Sequence, residues 1–328
     1  MLAVNRLYRW LPDSTADRRV RVLAWASLVS QTLIVGTGGA VRLTGSGLGC
    51  PTWPRCTEDS LIATPEMGIH GLVEFGNRLL TFVLVIIAIL AFLSILRLRR
   101  ERPELLRLTV ALGLGIPAQA VIGGITVLTE LNPWVVGLHF VVSAALVALA
   151  TVYVHRVYRG RTSGRLAVPA RVRVLALTAA VGAWITVLIG IVVTGSGPHA
   201  GDGGAARNGL DSELLQHWHS WPAYATFGLT VLLIIAAARI GRAPMLRASI
   251  ALLAVEGVQI AVGIAQARLG LPVILVGVHM VLACVLIGVM TLVLLTTRLT
   301  AAEAADRDAV RDREAVSAEK GSAEKGSA

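Results

Sequence analysis

The sequence predicts an all-α integral membrane protein of eight transmembrane helices, arranged as two tandem four-helix bundles related by a parallel repeat. Three observations carry that prediction. Of the 328 residues 55% are hydrophobic and 15% charged, and the mean hydropathy is +0.71, far from the composition of a soluble domain. Apolar runs near residues 23–42, 73–96, 107–128, 134–154, 173–194, 217–238, 246–267 and 272–297 are each long enough to cross a hydrocarbon core of about 30 Å. The third observation is a duplication. His139 lies within the apolar run WVVGLHFVVSAALVAL and His279 within VILVGVHMVLACVL, and a glutamine, Gln119 or Gln259, precedes each by 20 residues.

A single imidazole in an apolar membrane helix is as often a packing residue as a ligand, a proton path or an inter-helix hydrogen bond, and its recurrence in both halves tips the balance toward a functional role. The tetrapeptide TGSG also recurs, at 44–47 and 194–197. Four helices per unit is an even number, so both units have the same orientation and matching sites lie at the same depth.

The formal charge of +10 carries no nucleic-acid reading. With the N-terminus inside, 25 of the 30 Lys and Arg fall on cytoplasmic segments, and Arg42, Arg55, Arg78, Arg207 and Arg268 lie near the outer side. That asymmetry predicts a plasma-membrane protein with both termini cytoplasmic. The expected segments are a cytoplasmic stretch 1–22, a first half 23–165, a second half 166–300 and a polar, disordered cytoplasmic tail 301–328. The first apolar run is read as a retained helix, since it is full length and has a counterpart in the fifth.

Taken in order, helix 1 ends in GTGGAVRLTGSGLG, whose glycines suit close helix packing. The first external loop, CPTWPRC, carries Cys50 and Cys56 on the oxidising side, which reads as a disulfide, either a staple or a redox couple. The equivalent loop of the second half lacks cysteine, and Cys284 stands alone in helix 8 as a small core residue. Helix 2 opens with HGLVEFGNRLL, placing Glu74, Asn77 and Arg78 near its outer end; an intramembrane carboxylate is a functional candidate by default. Helix 6 opens with ELLQHWHSWPAY, where Gln216 and His219 repeat the spacing of Glu74 and Asn77. Trp53, Trp134, Trp218 and Trp221 fit an aromatic belt. His155 and His199 read as helix-end and loop residues, and Gln119 and Gln259 as inter-helix hydrogen bonds.

Helices 2, 4, 6 and 8 all enter from outside, so Asn77, His139, His219 and His279 fall in the outer half of the bilayer. His219 and His279 then face each other at one level, the arrangement that holds a haem iron between two imidazoles. Zinc would require further ligands nearby, and a b-type haem is the better reading.

The segments GTGGAVRLTGSGLGCPTWPRC, EFGNR, GLHF, TGSGPHAGD, QHWH and GVHM, spread over residues 23–297, together resemble the haem A synthase family. The resemblance implies an oxidoreductase that converts the C8 methyl of haem O to the formyl group of haem A for terminal oxidases. It implies haem b bound in the second half by His219 and His279, and substrate haem O in the first half with His139 as its protein ligand. Glu74 would be the acid/base group, and Arg78 and Arg42 would pair with haem propionates. Haem O synthase, terminal oxidase assembly factors and a second copy of the chain are the candidate partners. The family often carries a histidine three residues after the glutamate, where this chain has Asn77. His70 lies seven residues earlier, about 10 Å along the helix axis. Two alternatives are weighed against this reading: a b-type cytochrome linking quinone to a partner, which would need neither Glu74 nor the cysteine pair, and a duplicated transporter, which would place its polar residues nearer the midplane.

Overall fold

The computed structural model describes residues 11–325, so residues 1–10 and 326–328 of the expected terminal segments lie outside the description. Among the described residues eight helices are long and apolar enough to cross a membrane. They are α1 Arg18–Leu43, α2 Gly68–Ile95, α3 Pro103–Leu128, α4 Pro133–Arg159, α5 Ala170–Ser196, α6 Ser212–Arg239, α7 Ala243–Arg268 and α8 Val273–Thr296. Several begin before the apolar runs do, because the first turn is set by caps. The Asp17 carboxylate accepts the Arg19 N–H, the Asn132 amide oxygen accepts the Trp134 N–H, and prolines open α3 and α4 where no N–H is needed.

Each group of four closes on itself. In the first half α1 packs on α2 and α4, and α3 on α2 and α4; in the second α5 packs on α6 and α8, and α7 on α6 and α8. The halves meet where α8 touches α1 and α4, and where α4 touches α5. Glycines permit this approach: a β-carbon at Gly36 would stand 3.1 Å from Val281, and one at Gly137 2.6 Å from Ile191. Large apolar side chains point outward, Phe82, Ile86 and Leu90 on α2 and Ile250, Val258 and Ile264 on α7 among them. In water that exposure would be costly, whereas in hydrocarbon it carries no penalty.

Helix ends repeat as well. Leu131 and Leu271 both have positive φ (61° and 60°). Their N–H groups return to Thr126 and Gln266 at 2.7 and 2.8 Å, closing α3 and α7 with the same six-to-one bond. TGSG behaves differently. Gly45, at φ 68°, ends α1, whereas α5 runs on through Ser196, inside the second copy of the motif. Burial confirms the slip, since Ala24, Ser27, Gln31, Val35 and Leu43 match Ala176, Ala179, Ala183, Val187 and Gly195, two residues out of step with TGSG. Gly38 of α1 therefore corresponds to Gly190 of α5.

Two features lie outside the all-α bundle, and the second differs from the expected disordered tail. A short antiparallel pair, β1 Thr162–Leu166 with β2 Arg298–Thr300, joins the connection between halves to the end of α8. The tail is helical as α9, Ala301–Lys325. Its start is a reciprocal cap: the Glu303 carboxylate accepts the Thr300 N–H at 2.8 Å and the Thr300 hydroxyl accepts the Glu303 N–H at 3.2 Å. Arg242 donates two bonds to the same carboxylate, at 2.9 and 3.2 Å, which pins the helix to the bundle.

Candidate functional site

A cavity of about 1130 Å³ runs through both halves. Glu74, Asn77, His139, His219 and His279 all line it, as do Arg42 and Arg78. His219 on α6 and His279 on α8 face each other with ring centroids 6.1 Å apart and planes at 71°. The His219 Nδ1–H donates to the Thr186 carbonyl at 2.9 Å, because a carbonyl can only accept. That bond leaves the lone pair on Nε2.

Glycine makes room for each ring. A β-carbon at Gly190 would come within 2.7 Å of His219 Cε1, and one at Gly263 within 3.2 Å of His279 Cε1. Gly123 stands to His139 as Gly263 does to His279, also at 3.2 Å. Gln119 and Gln259 donate to the backbone carbonyls of His139 and His279 at 3.1 and 3.0 Å, fixing α3 to α4 and α7 to α8 as inter-helix hydrogen bonds. The Nδ1 atoms of His139 and His279 are buried with no protein partner.

Asn77 occupies the place in α2 that His219 has in α6. Its amide nitrogen is 4.0 Å from a β-carbon built at Gly38, so the glycine remains but the ring it would admit is absent. The Asn77 Oδ1 is buried without a partner. His70 is not among the residues lining the cavity; its side chain is exposed and its Nδ1 bonds the Ser46 hydroxyl at 2.9 Å.

Glu74 is buried at 5% exposure and holds the cysteine loop. Its Oε2 accepts the Cys50 N–H at 2.7 Å, and its Oε1 pairs with Arg78. Arg78 commits Nε to Glu74, Nη1 to the Arg55 carbonyl, and Nη2 to the carbonyls of Cys50 and Thr52 as well as to Glu74. Cys50 and Cys56 are joined in a disulfide. Between them Trp53 does not stay in an aromatic belt with the exposed Trp134, Trp218 and Trp221; its indole packs against Gly124 and lines the cavity. The loop is thus one wall of the site, held there by Glu74 and Arg78.

Arg42 turns toward the second half. Its Nε donates to the His199 carbonyl at 2.7 Å and its Nη2 to the Thr194 carbonyl at 3.0 Å, supplying donors to the last turn of α5. His199 in turn donates through Nε2 to the Leu271 carbonyl at 2.9 Å.

Among the cavity residues that the sequence analysis does not single out, one is a buried carboxylate. Glu256, at 4% exposure in the middle of α7, accepts a hydrogen bond from the Thr230 hydroxyl at 3.0 Å, and its Oε2 has no protein partner. The signal for it was a single carboxylate inside an apolar run, the same signal that singled out Glu74.

The family model described as cytochrome oxidase assembly protein (COX15-CtaA) matches residues 21–291. The Heme A synthase of Geobacillus thermodenitrificans is 32% identical over 119 residues, 36% of this chain and 37% of that protein. The Heme A synthase of Listeria monocytogenes serovar 1/2a is 25% identical over 182 residues, 53% of this chain and 58% of its own length. That of Geobacillus kaustophilus is 28% identical over 123 residues, 38% of each chain. The aligned stretches thus span between 37% and 58% of these relatives. Because the family match runs from the first turn of α1 to the last part of α8 and contains every cavity residue described above, the chain belongs to the family of cytochrome oxidase assembly proteins.

Proposed function

We propose that this chain is a haem A synthase, an oxidoreductase that converts the C8 methyl of haem O to a formyl group, with haem b held in the second half and haem O in the first. The observation that carries the reading is the facing imidazole pair. The ring centroids of His219 and His279 are 6.1 Å apart, close enough that both would hold one haem iron, since a histidine nitrogen binds a metal at about 2 Å. The Thr186 bond that leaves Nε2 of His219 free, and the glycines beneath both rings, fit the same use. Haem b bound there would supply one-electron storage between the reacting haem and an external acceptor.

In the first half His139 would hold haem O, and Asn77, whose amide is a poor iron ligand, stands where the second half has His219. Glu74 lines the cavity there and would take the protons released as the methyl passes through alcohol and hydrated aldehyde. Its bonds to Cys50 and Arg78 hold that carboxylate in one place. Arg42 has Nη1 left for a propionate, whereas all three Arg78 nitrogens already have protein partners, so Arg42 is the stronger candidate of the two. The clustering of 25 of 30 basic residues supports a plasma-membrane location with cytoplasmic termini and the cysteine loop outside. Haem O synthase, oxidase assembly factors and self-association remain the partners to test.

The test is the spectrum of the purified, haem-loaded protein. A low-spin six-coordinate haem b signal is expected, lost or altered in His219→Ala and in His279→Ala. An unchanged signal in both variants would refute the assignment. Haem A should also form when haem O and an external electron acceptor are supplied; a protein with intact haem b that makes none under those conditions would be an electron-transfer cytochrome.

A further inference from the structure

The inner end of the cavity differs in chemistry between the halves. Ile116, Gln119 and Gly123 of α3 share a face at helical spacing, as do Glu256, Gln259 and Gly263 of α7, and all six line the cavity. The glutamines bond the histidine carbonyls and the glycines meet the histidine rings, so Ile116 and Glu256 are equivalent positions deeper in the bundle. Each lies about 10 Å along its helix from its glycine. Their neighbours differ in the same sense. Burial aligns Leu84, Ala91 and Ile95 of α2 with Thr226, Leu233 and Ala237 of α6, which pairs Leu84 with Thr226 and Ala88 with Thr230. At the inner end of the cavity the first half therefore presents Leu84 and Ile116, and the second Thr226 and Glu256, the latter bonded to Thr230.

Haem O and haem b share their propionates and differ at the opposite edge of the ring, where haem b has a vinyl group and haem O a long isoprenoid chain. A haem whose propionates were held at the polar rim near Arg42 would direct the differing edge to the inner end of the cavity.

We propose that Glu256 makes the second half selective for haem b by barring the isoprenoid chain of haem O, which Leu84 and Ile116 admit in the first half. The inference rests on the haem A synthase reading above. A hydrocarbon chain laid over Glu256 would strip the unpartnered Oε2 of any hydrogen-bond partner, a cost that buried polar groups do not tolerate. The shorter vinyl edge leaves space for a water on that oxygen. Loaded with haem O, the second site would hold substrate where no Glu74 equivalent exists, since Gln216 stands there.

The experiment expresses the full-length protein with both haems available, purifies it, and quantifies extracted haem b against haem O plus haem A by chromatography with mass detection. In wild type the low-spin site holds haem b. Glu256→Ile should raise the haem O plus haem A to haem b ratio on the order of tenfold, whereas Glu256→Gln, polar and of similar size, should keep the wild-type ratio. Ile116→Glu should lower retained haem O on the order of tenfold and leave the haem b signal unchanged. Unchanged ratios in both Glu256→Ile and Ile116→Glu overturn the proposal, as does a Gln variant that shifts as far as the Ile variant. If Glu256→Ile accumulates without haem or not at all, the Ile116→Glu result decides alone. A wild-type protein with no haem b in its low-spin site would refute instead the reading on which the inference rests.

Discussion

In the second half two imidazoles face each other, each seated on a glycine, above a polar inner wall of Thr226 and Glu256. In the first half one imidazole, His139, sits on Gly123, while Asn77 stands beside a Gly38 that nothing fills, above Leu84 and Ile116. The helices around both sites are held by the same bonds, down to the glutamine that grips each histidine carbonyl. Duplication has thus preserved the frame and changed the lining. The disulfide loop, with Glu74 and Arg78 beneath it, belongs to the first half alone. On the function proposed above, the second half would hold the resident haem and the first the haem that reacts.

The hardest test of that contrast is Glu74→Gln. The amide can still accept the Cys50 N–H, so the loop keeps its anchor while the acid/base group is gone. Haem A formation should fall about 100-fold or more, with the haem b spectrum intact; a changed haem b spectrum would break the separation of the two sites. Next come paired glycine substitutions. Gly190→Ala places a methyl 2.7 Å from the His219 ring and should cut haem b retention about tenfold, at an overpacking cost of about 1–3 kcal/mol. Gly38→Ala, 4.0 Å from Asn77, should change little. Equal effects of the two would mean that the halves do not differ as described.

Asn77→His should convert the first half toward the second. Gly38 leaves space for the ring, so the protein should accumulate normally and its bound haem O should become six-coordinate and low-spin by optical or EPR spectroscopy. A wild-type haem O that is already low-spin would remove the distinction. Arg42→Ala tests the joint between the halves. Losing the bonds to His199 and Thr194 leaves carbonyls of α5 and its loop without a donor, and a loss of about 1–3 kcal/mol is expected as a lower Tm in detergent. The smallest effect concerns the tail. Arg242 holds the Glu303 carboxyl down to about 2 from its ordinary 4.5. A depressed carboxyl contributes stability that is present above 4.5 and lost as pH falls toward 2. Protease sensitivity of α9 should therefore rise between those pH values in wild type and rise less in Glu303→Gln, where the Arg165–Asp308 pair is left as an acid-sensitive contact. The effect will be modest, because the pair is partly exposed and screened.

Much of this was legible in the chain. Apolar length determined the eight spans, since a helix that satisfies its own backbone is what an uninterrupted apolar run can form in lipid. The equal spacing of Gln119 to His139 and Gln259 to His279 determined that both halves hold a histidine at one depth, and it also revealed the inter-helix bond. Glu256 carried a sequence signal as clear as that of Glu74, and the T-x-x-E of Thr300 and Glu303 is a capping signal that the expectation of a disordered tail passed over.

What the sequence left open were the partners of groups that meet across helices. TGSG is identical in both copies, yet Gly45 turns α1 aside while α5 continues, because Asn208 and Arg42, distant in sequence, supply the donors that α5 needs at its end. That Arg78 and Arg42 also bond backbone carbonyls was decided by the fold of the cysteine loop and by the contact between halves. Trp53 looks like a belt residue until Gly124 offers it a flat surface inside the cavity. Hydrophobic length and periodicity are local and act through lipid, so the sequence by itself determined the spans, their order and the repeat. Hydrogen-bond direction and ring seating depend on which helix stands opposite, and that the tertiary structure alone decided.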